Sequence, residues 1–186
     1  MHANKRWLLL LMGASVLVFG VATGTASLTS KPVLHAAKAP RAEKLLEGRV
    51  APDVLRQLRS TTWRWQSTMG AHRAAIAVRP NTLRTLRVAE RAARRAYRAY
   101  LNPPHKRAWL CIHRYEGSWS DSGDPYWGGL QMDRSFMEGY APHHLLHRGW
   151  ADHWSPIEQM WVAERAYRAG RGFYAWPNTA RVCGLI

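Results

Sequence analysis

Apolar residues recur at helical spacing most clearly between Ser155 and Gly170. Ser155 can act as an N-cap, Pro156 suits the first helical turn, and Glu158 completes a capping box. Apolar side chains then follow at intervals of three or four residues, and Gly170 is a typical residue for the end of a helix. The pattern therefore predicts a helix between these two limits.

A second helix is predicted from Asn81 or Thr82, either of which can cap it, to the Asn102-Pro103-Pro104 segment, which ends it. Residues three or four apart form two stripes along this helix. The basic stripe is either a solvated face of a packed helix or a surface that contacts membrane lipid, an anionic wall polymer or nucleic acid. The apolar stripe is Leu83, Leu86, Ala93, Tyr97 and Tyr100, and the basic stripe is Arg84, Arg87, Arg91, Arg94 and Arg98.

Residues 105–117 predict a shorter helix with Trp109, Ile112 and Glu116 on one face. A turn-rich stretch, SDSGDPYWGG, follows it, and the later stretch DRSFMEGY predicts another short helix. The expected fold class is therefore mainly α (α+β).

The pattern is weaker upstream of the second helix. Residues 43–58 fit one or two short helices. Trp63 and Trp65 alternate as in a strand, although their segment is also compatible with a helix. Residues 43–104 are therefore described only as a basic helical region of unknown fold, and residues 105–186 as a separate C-terminal domain.

The chain begins with a pattern typical of export. A short basic segment precedes an apolar run and then small residues, as in a signal peptide, and the run is also long enough for a retained membrane anchor. We assign residues 1–26 to a signal peptide or signal anchor. Residues 27–42 are small, polar and basic with two prolines, and we assign them to a linker. Both alternatives predict a protein that is secreted or is anchored facing the extracellular side, at the cell wall.

The two halves of the chain differ in charge. The 186 residues carry 27 Lys or Arg against 12 Asp or Glu, a formal net charge of +15. Residues 1–104 contain 18 of these cations and 4 of the acids, whereas residues 105–186 contain 9 and 8. This excess favours an anionic partner for the N-terminal half.

Cys111 and Cys183 are the two cysteines of the chain. In an oxidising compartment an even pair predicts a disulfide, which would close a loop of about 72 residues and contribute about 4 kcal/mol. Two buried free thiols are the alternative. A metal site is disfavoured, because no second Cys or His stands at ligand spacing from either cysteine.

Glu116 has sequence neighbours that suit a catalytic acid. Glycoside cleavage needs a carboxylic acid that protonates the leaving oxygen, and burial among apolar groups favours the protonated form. Tyr115, Trp119, Tyr126 and Trp127 are close to Glu116 in sequence, and aromatic faces suit the apolar faces of sugar rings. A charge at a helix end is the alternative interpretation of an isolated glutamate.

Four motifs occur in a fixed order in the C-terminal half of the chain. They are Glu116-Gly117-Ser118-Trp119, Gly128-Gly129-Leu130-Gln131, Val162-Ala163-Glu164-Arg165, and Trp176-Pro177 leading to Cys183-Gly184. With these motifs, residues from about 109 to 184 resemble the transglycosylase-like domain of actinobacterial resuscitation-promoting factors. The resemblance covers less than half of the chain and no part of the basic half. It implies a small lysozyme-like fold, a peptidoglycan substrate and a catalytic role for Glu116.

Two departures from the family pattern lie at the predicted catalytic residue. The family commonly has Cys directly before its catalytic Glu, whereas this chain has Tyr115 there and Cys111 four residues earlier. The family's Ser-Gly-Gly-Asn portion is shortened to Gly117-Ser118. A non-catalytic peptidoglycan-binding protein on the same fold is therefore the alternative function.

The other carboxylates have structural interpretations. Asp133 fits the N-cap of a short helix, and Asp121 and Asp124 fit turns. Glu164 lies on the inner side of its helix and is expected to pair with an arginine or a backbone N–H. One acid suffices in a lytic transglycosylase, because the sugar's own N-acetyl and 6-hydroxyl groups assist and a 1,6-anhydro product forms.

The histidines do not predict a metal site. His143 and His147 are four residues apart, as ligands on a helix can be. No acid or cysteine completes a ligand set at a familiar spacing, and we expect neither a metal nor a cofactor.

We therefore expect an exported enzyme that cleaves the β-1,4 bond between N-acetylmuramic acid and N-acetylglucosamine in peptidoglycan. It would be a lytic transglycosylase or a lysozyme-like glycosidase with Glu116 as general acid and base. Trp119, Tyr126, Trp127 and Gln131 are the expected substrate-binding residues. Glycan strands are the expected partner, an anionic wall polymer or a membrane surface is a further partner for the basic stripe, and nucleic acid is not expected.

Overall fold

A computed structural model of the protein describes residues 49–186, so the predicted signal segment, the predicted linker and residues 43–48 lie outside the described residues. The described part is mainly helical with a small two-stranded sheet, which confirms the expected fold class. The strands β1 (Tyr126–Trp127) and β2 (Met132–Asp133) are antiparallel. The α-helices are α1 (Pro52–Met69), α2 (Leu83–Tyr100), α3 (Lys106–Glu116), α4 (Arg134–Tyr140), α5 (His143–Leu146), α6 (Pro156–Ala166) and α7 (Pro177–Val182).

The segment with Trp63 and Trp65 belongs to α1 and is helical, so the strand alternative is wrong. The two indoles point to different sides of α1, and each side is covered by a different part of the chain. Trp63 Nε1 donates to the Ala74 carbonyl at 2.9 Å, whereas the Trp65 ring lies 4.9 Å from the Tyr97 ring of α2. Alternation of two large side chains is therefore no evidence for a strand where a helix has neighbours on two sides.

Helix α2 begins where its predicted cap lies. The Thr82 side chain accepts a hydrogen bond from the Thr85 N–H at 3.2 Å, which satisfies one of the free donors of the first turn. The side of α2 that faces α1 is lined by small residues, which allow two helices to approach closely. The buried residues of α2 are Ala89, Ala92, Ala93 and Ala96.

Residues 105–186 build a core from large side chains around α6. The predicted capping box of Ser155 and Glu158 is present at the start of this helix. Nearly every residue from Glu158 to Ala166 is buried, because α3, α4 and α1 pack against different sides of α6. Trp109 on α3 is fully buried, with its ring 5.3 Å from that of Trp176.

The described parts of the two regions distinguished in the sequence belong to one compact unit. Arg165 and Arg168 donate to the carbonyls of Ser67 and Met69 in the last turn of α1, where a helix presents unpaired acceptors. Trp161 Nε1 donates to the Tyr100 carbonyl at the end of α2 at 2.7 Å. These bonds connect the helical pair α1–α2 to α6 and to Tyr167–Arg171, which follows it.

Within residues 49–186, no helix has both the length and the apolar character that crossing a membrane requires.

Candidate active site

Glu116 is the last residue of α3 and is half-buried. Its Oε1 accepts a hydrogen bond from the Thr179 hydroxyl of α7 at 2.7 Å. Thr179 is a contact that the sequence did not predict, because 63 residues separate it from Glu116. One carboxylate oxygen is therefore held in place by a second helix.

A disulfide joins the same two helices. Cys111 and Cys183 are bonded, with their Cα atoms 6.0 Å apart, which confirms the predicted bridge. Cys111 lies five residues before Glu116 on α3, and Cys183 caps α7 four residues after Thr179. The bridge and the Glu116–Thr179 hydrogen bond thus fix α7 against α3 at two neighbouring points. A disulfide of this kind is typical of proteins from an oxidising extracellular environment.

The other end of α3 is fixed by Glu164, which is fully buried on α6. Its Oε1 accepts from the His105 backbone N–H at 2.7 Å and from Trp109 Nε1 at 2.8 Å. The expected pairing of Glu164 with a backbone N–H is therefore present, and an indole supplies the second donor. Because Glu164 binds the backbone N–H of His105, the residue directly before α3, it is a structural residue that positions the start of this helix.

Gln131 lies beside the residue that follows Glu116. Its Nε2 donates to Asp121 Oδ2 at 2.8 Å and to the Gly128 carbonyl at 3.0 Å. A Cβ atom added to Gly117 would lie 3.3 Å from this Nε2 atom. Gln131 has a positive φ of 47°, which is uncommon for a residue with a side chain, and the two hydrogen bonds hold it in that conformation.

Asp121 thereby comes next to the loop after Glu116, but both of its oxygens are occupied. Oδ2 accepts from Gln131, and Oδ1 accepts from the Gly123 N–H at 3.1 Å, as expected for a turn-forming aspartate. Asp133 caps α4 through the Phe136 N–H, as predicted. The hydrogen bonds from the Phe136 N–H and the Ser135 hydroxyl hold the pKa of Asp133 below its usual range.

The Gly128-Gly129 turn is shaped by Gln159 of α6, which is fully buried. Gln159 Oε1 accepts from the Gly129 N–H at 2.8 Å, and its Nε2 donates to the Trp119 carbonyl at 2.8 Å. A Cβ atom at Gly129 would lie only 2.5 Å from His113 Nδ1, so this position requires glycine. A role for Gln159 was not predicted from the sequence, although Gln159 lies on the buried side of α6 together with Val162, Ala163 and Ala166.

Within residues 49–186, the predicted aromatic residues Trp119, Tyr126 and Trp127 do not stack on one another. The half-buried Trp119 stacks on His113 with ring centroids 3.8 Å apart. The half-buried Trp127 lies 5.8 Å from Trp150, and Tyr126 is exposed. Of the predicted binding residues, Trp119 thus contacts His113 of α3 and Gln131 lies beside Gly117 at its end, whereas Trp127 contacts Trp150.

No protein-family model, no curated protein and no solved structure matches the chain. The catalytic role of Glu116 accordingly stays a prediction from its motifs and its geometry.

Two surface cavities lie away from Glu116. One of about 690 Å³ is next to the start of α3 and is lined by residues that include His105, Arg107 and Leu185. The other, of about 330 Å³, is lined by Arg64, His143, His144, His147 and Arg148. Neither is lined by Glu116, so the candidate site is not part of either concavity.

The histidines beside the second cavity do not assemble a metal site. His143 Nε2 and His147 Nε2 are 3.1 Å apart, and His144 Nε2 contacts the Thr68 hydroxyl at 3.0 Å. In the part of the chain that the structure describes, no group of three or more His, Cys, Asp or Glu side chains is placed to hold a metal ion. Arg148 also lines this cavity, and its positive charge disfavours a bound cation.

Proposed function

We propose that the protein cleaves the glycan strands of peptidoglycan with Glu116 as general acid and base. The observation that carries the proposal is the fixed position of this carboxyl group at the end of a helix. Thr179 occupies Oε1, and within residues 49–186 no protein donor contacts Oε2. Oε2 is then the oxygen that carries the proton to the leaving glycosidic oxygen.

Rigid support of the acid favours catalysis over a chance surface charge. The disulfide and Thr179 hold the C-terminal end of α3, and Glu164 holds its N-terminal end. A catalytic group must keep its position to within a fraction of an ångström. Contacts at both ends of α3 hold the helix, and with it the carboxyl group, in place. Gln131 lies beside Gly117, the residue after the acid, and its Oε1 offers an acceptor for the hydroxyl edge of a sugar.

A reaction with one protein carboxyl group fits the described geometry best. Asp121 lies nearby, but its two oxygens are engaged by Gln131 and the Gly123 N–H. In a lytic transglycosylase, Glu116 would protonate the leaving oxygen of the N-acetylglucosamine side as the glycosidic bond breaks. Glu116 would then accept the proton of the muramic acid 6-hydroxyl group, whose oxygen bonds to C1 and gives a 1,6-anhydro product.

The test is a digest of purified peptidoglycan followed by mass spectrometry of the soluble products. Wild-type protein should release 1,6-anhydro-muropeptides. Glu116→Gln should lower the rate by about 10²- to 10⁴-fold, the usual contribution of general acid catalysis. The matched control is Glu138→Gln, an exposed glutamate on α4 that pairs with Arg134. Undiminished release by a folded Glu116→Gln variant would refute the role of Glu116. Products with hydrated reducing ends in place of 1,6-anhydro ends would show that the reaction is hydrolysis and not transglycosylation.

The second candidate is a peptidoglycan-binding protein without activity. It is favoured by the position of Glu116 outside the two cavities and by the Trp119 ring, which packs on His113. This alternative predicts that wild-type protein co-sediments with insoluble peptidoglycan and releases no soluble product. Detection of any anhydro product that depends on Glu116 would exclude it.

A further inference from the structure

Six arginines of α2 form a surface that the proposed reaction does not use. With 3.6 residues per turn, they fall within an arc of about 100° and extend over about 21 Å along the helix axis. The buried alanines of α2 lie on the opposite side, against α1. This arginine surface consists of Arg84, Arg87, Arg91, Arg94, Arg95 and Arg98, all of which are exposed.

Carboxylates of the described residues do not neutralise the arginine surface. Glu90 is the single acid of α2. Within residues 49–186, no guanidinium of the arginine surface makes a salt bridge, whereas Arg134 and Arg148 elsewhere do. Like charges four residues apart on a helix repel each other, as at Arg87 and Arg91. The missing negative charge is therefore expected from a partner.

The use of arginine narrows the chemistry of that partner. Residues 49–104 contain twelve arginines and no lysine. A guanidinium group donates two parallel N–H bonds to a phosphate or carboxylate, whereas an ammonium group acts as a point charge. A row of six guanidinium groups consequently fits a chain molecule with repeated oxyanion groups better than a single small anion.

A membrane surface fits less well. Helices that lie in the membrane interface insert an apolar face with large side chains. The apolar face of α2 is covered, since Trp65 of α1 packs against Tyr97 and Tyr100. Val88 is the one large apolar residue of α2 that is strongly exposed, at 44%. The arginine surface thus offers charge but no group for insertion among lipids.

We propose that the arginine surface binds a linear extracellular polyanion with repeated phosphate or carboxylate groups. The extracellular setting is chosen because a disulfide is typical of proteins in an oxidising extracellular environment. Binding at α2 does not involve Glu116, so this proposal holds or fails separately from the proposed catalysis.

The experiment measures dissociation constants of the full-length protein for labelled poly(glycerol phosphate) and labelled polygalacturonate at several salt concentrations. The dissociation constants for vesicles of phosphatidylglycerol and phosphatidylcholine and for a DNA oligonucleotide are measured in the same way, since a membrane and a nucleic acid are the alternative partners. Two variants with the same net charge are compared, and their helix content is checked by circular dichroism. Four arginines become Gln in each: Arg87, Arg91, Arg94 and Arg98 in the test variant, and Arg107, Arg114, Arg171 and Arg181 in the control.

The test variant should raise the dissociation constant for the preferred polymer by about 100-fold, and its affinity should depend less steeply on salt. The control should change the dissociation constant by less than about threefold, because its arginines lie in another part of the surface. The polymer with the lower dissociation constant identifies phosphate or carboxylate as the recognised group. Equal weakening by both variants, or tighter binding to vesicles or DNA than to either polymer, would overturn the proposal.

Discussion

The helical pair α1–α2 and the C-terminal residues 105–186 are stabilised in different ways. Residues 49–104 contain twelve basic and two acidic residues, pack through alanines and have no disulfide. Residues 105–186 have a nearly balanced charge, seven tryptophans and the Cys111–Cys183 bridge. The first region exposes charge along one helix, whereas the second holds one carboxyl group in a fixed position. The two proposals accordingly place polyanion binding in the first region and glycan cleavage in the second.

The largest effect on stability is expected from the disulfide. Replacing both Cys111 and Cys183 by Ala should lower the free energy of unfolding by about 4 kcal/mol, because the unfolded chain regains the freedom of a long loop. Thermal and denaturant unfolding followed by tryptophan fluorescence measures this. A loss below about 1 kcal/mol would contradict the special rigidity of the second region.

A smaller effect is expected at the turn beside the candidate site. Gly129→Ala should destabilise the protein by about 1–3 kcal/mol, because its Cβ has no room between His113 and Trp119. Gly139→Ala is the control, since a Cβ there meets nothing within 4 Å, and it should be neutral or stabilising by up to about 1 kcal/mol. Equal effects of the two substitutions on the denaturation midpoint would show that the turn is not tightly packed.

The dependence of stability on pH should reveal the Glu158–Arg148 pair. Burial raises the pKa of Glu158, but the hydrogen bonds from Arg148 and Ser155 outweigh it and hold this pKa below its ordinary value. The folded protein binds this proton less readily than the unfolded chain. The pair therefore stabilises the fold above the ordinary glutamate pKa, and this contribution is lost as the pH falls through the lower folded value.

Arg148→Met removes the Arg148 hydrogen bonds that lower this pKa and leaves the Ser155 hydrogen bonds and the burial. The variant should lose about 1–2 kcal/mol at neutral pH, a range reduced for the partial exposure of Arg148. Because the pKa of Glu158 is then less depressed, the variant should lose less stability than the wild type as the pH falls below the ordinary glutamate pKa, so the difference between the two proteins shrinks at low pH. Denaturant midpoints measured at closely spaced pH values provide the comparison, and superimposable pH profiles would contradict it.

The smallest expected effect contrasts single arginines of the two regions. Arg91→Gln removes repulsion with Arg87 and Arg95 and should stabilise the protein by about 0.5 kcal/mol at low salt. Arg134→Gln removes a pair with Glu138 and should lower the thermal midpoint slightly. Both effects should shrink in high salt. If both substitutions shift the melting temperature in the same direction, the expected difference between Arg91 and the paired Arg134 is contradicted.

Local features were predictable from the sequence where they depend on neighbouring residues. The Thr82 cap and the Ser155–Glu158 capping box follow from short-range rules. The disulfide was predictable because the chain has two cysteines, of which neither has a metal-ligand neighbour. In contrast, Thr179 and Gln159 act on groups 63 and 30 residues away, and no local pattern encodes such a distance.

The junction between the two regions was equally hidden in the sequence. Arg165 and Arg168 donate to carbonyls almost one hundred residues earlier in the chain. Backbone acceptors at the end of α1 have no signature in the sequence. The candidate catalytic residue could be predicted from its residue type and its motif. The groups that hold it in place, such as Thr179, could be recognised only in the folded structure.

One experiment that combines three proteins with two substrates tests most directly whether polyanion binding and glycan cleavage reside in different regions. Wild-type protein, Glu116→Gln and the Arg87/Arg91/Arg94/Arg98→Gln variant are each incubated with walls that retain their anionic polymers and with polymer-free peptidoglycan. Bound protein and soluble anhydro-muropeptides are then quantified in the same samples. Glu116→Gln should bind as wild type does and release product at least about 100-fold more slowly. The arginine variant should bind polymer-bearing walls weakly but digest polymer-free peptidoglycan at the wild-type rate. Product release by Glu116→Gln at the wild-type rate, or loss of activity on polymer-free peptidoglycan in the arginine variant, would contradict the account.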